Sequence, residues 1–207
     1  MEHACEAVPR LLAACDELCL MDGALRLKGT RFGIYAPALM FLDGDWSLED
    51  VCEDIEWMSV SSAETIERLC KSHRNDVFAY VRWCWVKRLG DQHKDVAQFL
   101  PDAMKLFVDS GDVDTLAQAL AAMDVPSSKT PNGRALLVEG MAFKFNAPSG
   151  DRFHDWWVCM RPNDMGWFHS ADTALWMMGK ALHAAHRRAA QPDSISTTTA
   201  TQRPGTN

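Results

Sequence analysis

At 207 residues, 47% hydrophobic and 24% charged, the chain has the composition of a globular protein large enough for one substantial core; the profiles of a disordered chain and of a membrane protein are excluded. Its 28 acidic against 21 basic residues give a net charge of −7, which argues against wrapping nucleic acid over the whole surface and leaves only a local basic patch for that purpose. The longest apolar run, Tyr35 to Leu42, has eight residues where a bilayer span needs roughly 20, so no membrane partner is expected.

Glu2, His3 and Glu6 stand where a secretory signal carries basic residues, and Asp16 and Glu17 interrupt the apolar segment that follows, so a cytoplasmic, reducing location is expected. The seven cysteines (Cys5, Cys15, Cys19, Cys52, Cys70, Cys84, Cys159) are odd in number and lie in apolar contexts, as reduced and mostly buried thiols do.

Val8, Leu11, Leu12, Cys15, Leu18 and Cys19 follow the i, i+3, i+4, i+7 spacing, which predicts an amphipathic helix over Val8–Leu20. Gly23, Gly29 and Gly33 then punctuate Met21 to Pro37, a pattern that fits a small hairpin or an irregular loop equally well. Ser47 with Asp50 three residues on reads as a variant capping box, and Leu48, Val51, Cys52, Ile55 and Met58 form the apolar stripe of the helix it opens. Ser61 or Ser62 is expected to cap the next helix, with Ile66, Leu69 and Cys70 inward. Asp76–Leu89, apolar nearly all round, is expected to be the central buried helix.

His93–Ser110 and Asp112–Met123 continue the series, with Pro101 starting or kinking a helix, Gly111 at a C-prime position and Asp112 as the next N-cap. No self-similar period of 30 to 45 residues supports a repeat array. The composition shift over Val125–Gly133 marks the best boundary between sub-structures. Ala135–Asn146 and Phe153–Met160 read as strands of a hairpin turning through Ala147–Arg152, with helix an alternative for Ala135–Met141. Ser170 caps a final helix from Ala171 to about Arg188, whose Asp172 at one end and His183, His186, Arg187 and Arg188 at the other match the helix dipole. The expected fold is α+β and mainly α, an antiparallel helical bundle followed by a β-hairpin and a C-terminal helix. One domain is expected over 1–190, helical to about 124 and hairpin plus helix from about 133, with 191–207 a disordered tail.

Three constellations carry candidate chemistry. The segment Asp43–Glu56 holds seven carboxylates and no base; Asp45, Glu49, Asp50, Glu53 and Asp54, with Trp57 beside them, form a face suited to docking a basic partner, against the plainer reading of a solvated helix surface. Arg82, Trp83, Lys87 and Arg88 combine cations with an aromatic ring, as single-stranded nucleic-acid binding requires. The plainer reading of that second stretch, and the favoured one, is that its bases answer the acidic segment across a helix pair. His154, Asp155, Cys159, Arg161 and His169 are the densest group of reactive side chains and would serve a hydrolase. On a strand His154 and Cys159 point to opposite faces, which leaves Cys159 with His169 as the nucleophile pair to test.

No cofactor and no metal are expected: Cys15 with Cys19, Cys70 with His73 and His183 with His186 are single pairs without the matched second pair of structural zinc. P-loop, dinucleotide-binding, zincin, serine-hydrolase and deaminase signatures are absent. Eight tryptophans supply anchors for an interface. The expectation is an intracellular macromolecule-binding, inhibitory or regulatory protein that docks another protein, with a hydrolase or nucleic-acid-processing enzyme as the alternative.

Overall fold

In the computed structural model, which describes residues 5–44, 46–145, 157–160 and 171–190, the chain opens with helix α1 (Ala7–Ala14). The helix stops well short of Leu20 because Cys15 is extended (φ −143°, ψ 105°) and the chain turns through Asp16 and Glu17 into strand β1 (Leu18–Met21). Leu18 and Cys19 fit a helical stripe only by coincidence of spacing. They belong to a hairpin with β2 (Ala24–Leu27), closed by Asp22 and Gly23, both at positive φ (52° and 73°), as a two-residue turn of this hand demands. Of the two readings for the glycine-punctuated stretch, hairpin holds for residues 21–27.

Tyr35 to Leu42, noted in the sequence only as an apolar run, is helix α2 (Tyr35–Asp43), ended by Gly44 in the left-handed region (φ 80°). Helix α3 (Leu48–Asp54) carries the full capping box: Asp50 N–H donates to Ser47 Oγ at 3.2 Å and Ser47 N–H donates to Asp50 Oδ2 at 2.8 Å. Helix α4 (Val60–Ser72) begins earlier than expected because Ser59, not Ser61 or Ser62, accepts the N-terminal hydrogen bond, from Ser62 N–H at 3.2 Å.

Helix α5 (Arg74–Gln92) follows directly, burying Val77, Tyr80, Val81, Trp85 and Leu89. The Tyr80 hydroxyl accepts from Leu25 N–H at 3.0 Å, fastening the hairpin to α5 at a buried point. The expected single helix from His93 is a 3₁₀ turn (Ala97–Phe99) and then α6 (Leu100–Asp109), with Pro101 in the first turn where its missing N–H costs nothing. Asp112 caps α7 (Val113–Ala122), accepting from Thr115 N–H at 2.7 Å. Gly111 is not a left-handed cap; α6 ends on an extended Ser110 (φ −104°, ψ 101°) that needs no glycine after it.

The stretch 125–133, read as a boundary, contains edge strand β3 (Ser127–Lys129) of a four-stranded antiparallel sheet, ordered β3, β4 (Leu136–Val138), β5 (Met141–Phe145) and β6 (Trp157–Met160). The expected strand 135–146 is thus folded in two at Glu139 and Gly140, both at positive φ (48° and 77°), and helix is ruled out there. The expected pairing of its second half with 157–160 holds, in the register Phe143 with Cys159 and Phe145 with Trp157. The turn 147–152, Ser170 and the tail 191–207 lie outside the described residues.

Helix α8 (Ala171–Ala189) packs against β6 and α6. Its Gly179 permits close approach, since a Cβ there would meet Leu100 Cδ2 at 2.9 Å. Buried side chains of helices and sheet join in one contiguous cluster, from Leu11 through Tyr80 and Phe107 to Trp157 and Leu182. The architecture is therefore mainly α with a small antiparallel sheet. Among the described residues no helix is long and apolar enough to cross a membrane.

Candidate protein-docking face

Helix α3 buries Val51, and Ile55 and Met58 continue its inner stripe, so helical spacing leaves Glu49, Asp50, Glu53 and Asp54 exposed on the outer side. Glu56 and Trp57 follow, both exposed, in the five residues 55–59 that join α3 to α4. Of the docking residues read from the sequence, the structure brings Glu49, Asp50, Glu53, Asp54 and Trp57 onto one short segment; Asp45 lies outside the described residues.

These carboxylates are not equivalent. Asp50 is committed to the capping box, and its hydrogen bonds with the Ser47 backbone and side chain hold its carboxyl below the usual carboxylate range. Among the described residues the ion pairs join Arg10 to Asp76, Arg26 to Asp22, Arg68 to Glu17, Lys71 to Glu67, Arg88 to Asp172, Lys94 to Asp91, Lys105 to Asp109, Lys129 to Asp114 and Arg188 to Glu139. None involves Glu49, Glu53, Asp54 or Glu56. Carboxylates are compensated in many places on this surface, but on α3 they stand together without a cation.

Beside them is an aromatic shelf that sequence reasoning found only in part. Trp57 (44% exposed) stacks on Phe32 (41% exposed) with ring centroids 3.6 Å apart and planes at 17°, and Val60 (56% exposed) opens α4 nearby in the chain. Phe32 carried one sequence signal, a large apolar residue inside a glycine-punctuated turn, but its partner is 25 positions away. Trp46, 39% exposed, precedes the cap of α3. Under the shelf is a recess of about 20 Å³ lined by Leu27, Thr30, Ile34, Met58 and Ile66 among others.

The basic and aromatic stretch of α5 is largely occupied by internal contacts. Arg82 shares the Phe78 ring with Arg74, their guanidinium carbons 5.2 and 5.0 Å from its centroid, and burial brings the Arg82 pKa down to about 10. Lys87 lies 5.3 Å over Trp83, and Arg88 donates to both oxygens of Asp172 at 3.1 and 2.9 Å. Of the bases between Arg68 and Lys94, Arg68, Lys71, Arg88 and Lys94 pair with Glu17, Glu67, Asp172 and Asp91, which lie outside Asp43–Glu56.

In the third constellation, His154, Asp155, Arg161 and His169 lie outside the described residues. Cys159 is fully buried in β6, where burial pushes its thiol up to about 12, the reverse of an activated nucleophile. Cys70 is likewise buried and pushed up to about 12, and His183 stacks on Phe99 with centroids 5.1 Å apart. Among the described residues no group of three potential ligands gathers to hold a metal ion.

Comparison with protein-family models, with curated proteins and with solved structures finds no match to this chain.

Proposed function

We propose that this protein is an intracellular binding protein, of inhibitory or regulatory type, that docks a basic protein partner through the α3 face and the adjoining aromatics. One observation carries the reading: Glu49, Glu53, Asp54 and Glu56 are exposed, stand within eight consecutive residues and are without ion-pair partners among the described residues, whereas many acids elsewhere on the surface, among them Glu17, Asp76, Glu139 and Asp172, are paired. Like charges crowded on one segment repel, and a cationic surface that covers them removes the repulsion while gaining its own pairing. Exposed Trp46, Trp57 and Phe32 add the aromatic area in which binding energy concentrates.

The test neutralises the three free carboxylates of α3 and spares the structural one, as Glu49→Gln, Glu53→Gln and Asp54→Asn with Asp50 retained. Affinity capture from the native lysate is run with both forms. A basic protein held by the wild type, lost in the variant and released by about 0.5 M salt is the expected result. Equal capture by both forms overturns the reading.

A further inference from the structure

We infer that the Trp57–Phe32 shelf is an arginine platform: the partner residue seated on it is an arginine, its guanidinium lying on the open face of the Trp57 ring within reach of the α3 carboxylates. The inference rests on the docking reading above and identifies the chemistry at its centre.

Three observations converge on this occupant. The Trp57 ring has one face covered by Phe32 at 3.6 Å and is still 44% exposed, so stacking sets its orientation while solvent has access to the remainder. The recess beneath, at about 20 Å³, holds little more than one water molecule, so an aliphatic or aromatic anchor from a partner has nowhere to insert and must lie on the ring instead. The chain around the ring carries Glu53, Asp54 and Glu56, all exposed and without ion-pair partners among the described residues, so a group lying there is favoured if it is cationic. A flat cation that stacks on an indole and offers a fork of donors to carboxylates is a guanidinium; an ammonium is more strongly hydrated and cannot do both at once.

The chain already makes cation–ring contacts with both kinds of cation. Arg74 and Arg82 both lie about 5 Å over the Phe78 ring, and Lys87 and Lys180 lie over Trp83 and Trp176. Among the described residues Trp57 is the most exposed tryptophan, and no cation lies over it.

The experiment titrates the full chain with fluorescently labelled octa-arginine and octa-lysine, equal in charge, and reads anisotropy. Four forms are compared: wild type, Trp57→Leu, the Glu49→Gln/Glu53→Gln/Asp54→Asn variant, and a charge control with Glu6→Gln, Asp95→Asn and Asp124→Asn. Circular dichroism melting confirms that each is folded. Octa-arginine is expected to bind wild type and the charge control about two- to fivefold more tightly than octa-lysine, the size of one exposed cation–π contact. Trp57→Leu should abolish that preference and leave octa-lysine binding unchanged, and the α3 variant should weaken both peptides.

If both peptides bind equally to wild type and both are lost in the α3 variant, the arginine platform is overturned while the docking face stands. An arginine preference that survives Trp57→Leu also overturns it, by placing the stack elsewhere. Equal binding by the α3 variant and the charge control overturns the docking face and the platform together.

Discussion

Arg88 on α5 and Asp172 in the first turn of α8, 84 positions apart, form a two-point ion pair with Nη2 at 3.1 and 2.9 Å from the two carboxylate oxygens, and the Trp85 indole N–H donates to the same carboxylate. One side chain thus joins the C-terminal helix to the central helix of the bundle. Arg88 and Asp172 are about half exposed, so their Coulombic attraction alone is modest. Trp85 is 5% exposed, and removing Asp172 takes a charged acceptor from its largely buried indole N–H. Asp172→Ala is therefore expected to destabilise by about 1–3 kcal/mol, and Arg88→Ala by less, about 1 kcal/mol or under. Urea unfolding of both variants checks the order; an equal or larger loss at Arg88 would place the effect in the ion pair rather than in the indole bond.

Gly179 sets how closely α8 approaches α6. A Cβ at this position would stand 2.9 Å from Leu100 Cδ2 and 3.7 Å from Val96 Cβ and Cγ2, all of them buried. Gly179→Ala gains about 1 kcal/mol of helix propensity and loses about 1–3 kcal/mol to overpacking, so a small net destabilisation is expected. Gly179→Leu cannot be accommodated by one rotamer change and should cost several times more. Adding Leu100→Val to Gly179→Ala should recover stability non-additively in a double-mutant cycle, because the new methyl fills the space that the shortened side chain leaves.

The parts of this architecture legible in the sequence are those decided locally. Ser47 and Asp50 announce α3 because both partners of the capping box sit within one turn, and Asp112 announces α7 in the same way. Leu18 and Cys19 misled because a four-residue strand and the end of an amphipathic helix share the same apolar spacing over so short a window, and Tyr80, 55 positions from Leu25, helps to settle the matter. Strand β3 is invisible in Ser127–Lys129, which has no strand-like composition and is a strand only because Leu136–Val138 pairs with it. The acidic half of the docking face could be read from charge alone. Its aromatic half could not, because the exposure of Phe32 and Trp57 and their mutual stacking are set by how the β2–α2 turn meets the α3–α4 connection.

The capping box makes one part of the acidic face sensitive to pH. The Asp50 carboxyl is held below its unfolded value, so its contribution to stability is present above the unfolded pKa and is lost as pH falls through the folded one. The advantage of wild type over Asp50→Asn is therefore expected to be constant near neutrality and to shrink below about pH 4. Ser47→Ala should cost about 1 kcal/mol at neutral pH and less in acid, where the reciprocal bond is already weakened. Chemical denaturation at about pH 7 and pH 3 measures both differences, and a gap that widened in acid would show that the box does not hold the ionised carboxylate.

Buried cysteines give the last prediction its sign. Cys70 and Cys159 have thiols pushed up to about 12 by burial, so the folded state holds their protons more tightly than the unfolded chain does. Their contribution to stability is present below the unfolded thiol pKa, near 8.5, and declines as pH rises through and beyond it toward the folded value. Alkylation by iodoacetamide at about pH 8 is expected to modify half-exposed Cys15, Cys19 and Cys52 first, and Cys70 and Cys159 only under denaturing conditions. Peptide mass spectrometry over a time course resolves the order. Early modification of Cys159 in the folded protein would mean that β6 opens to solvent and would return that thiol to consideration as a nucleophile; protection until unfolding leaves it a core side chain packed beside Phe143.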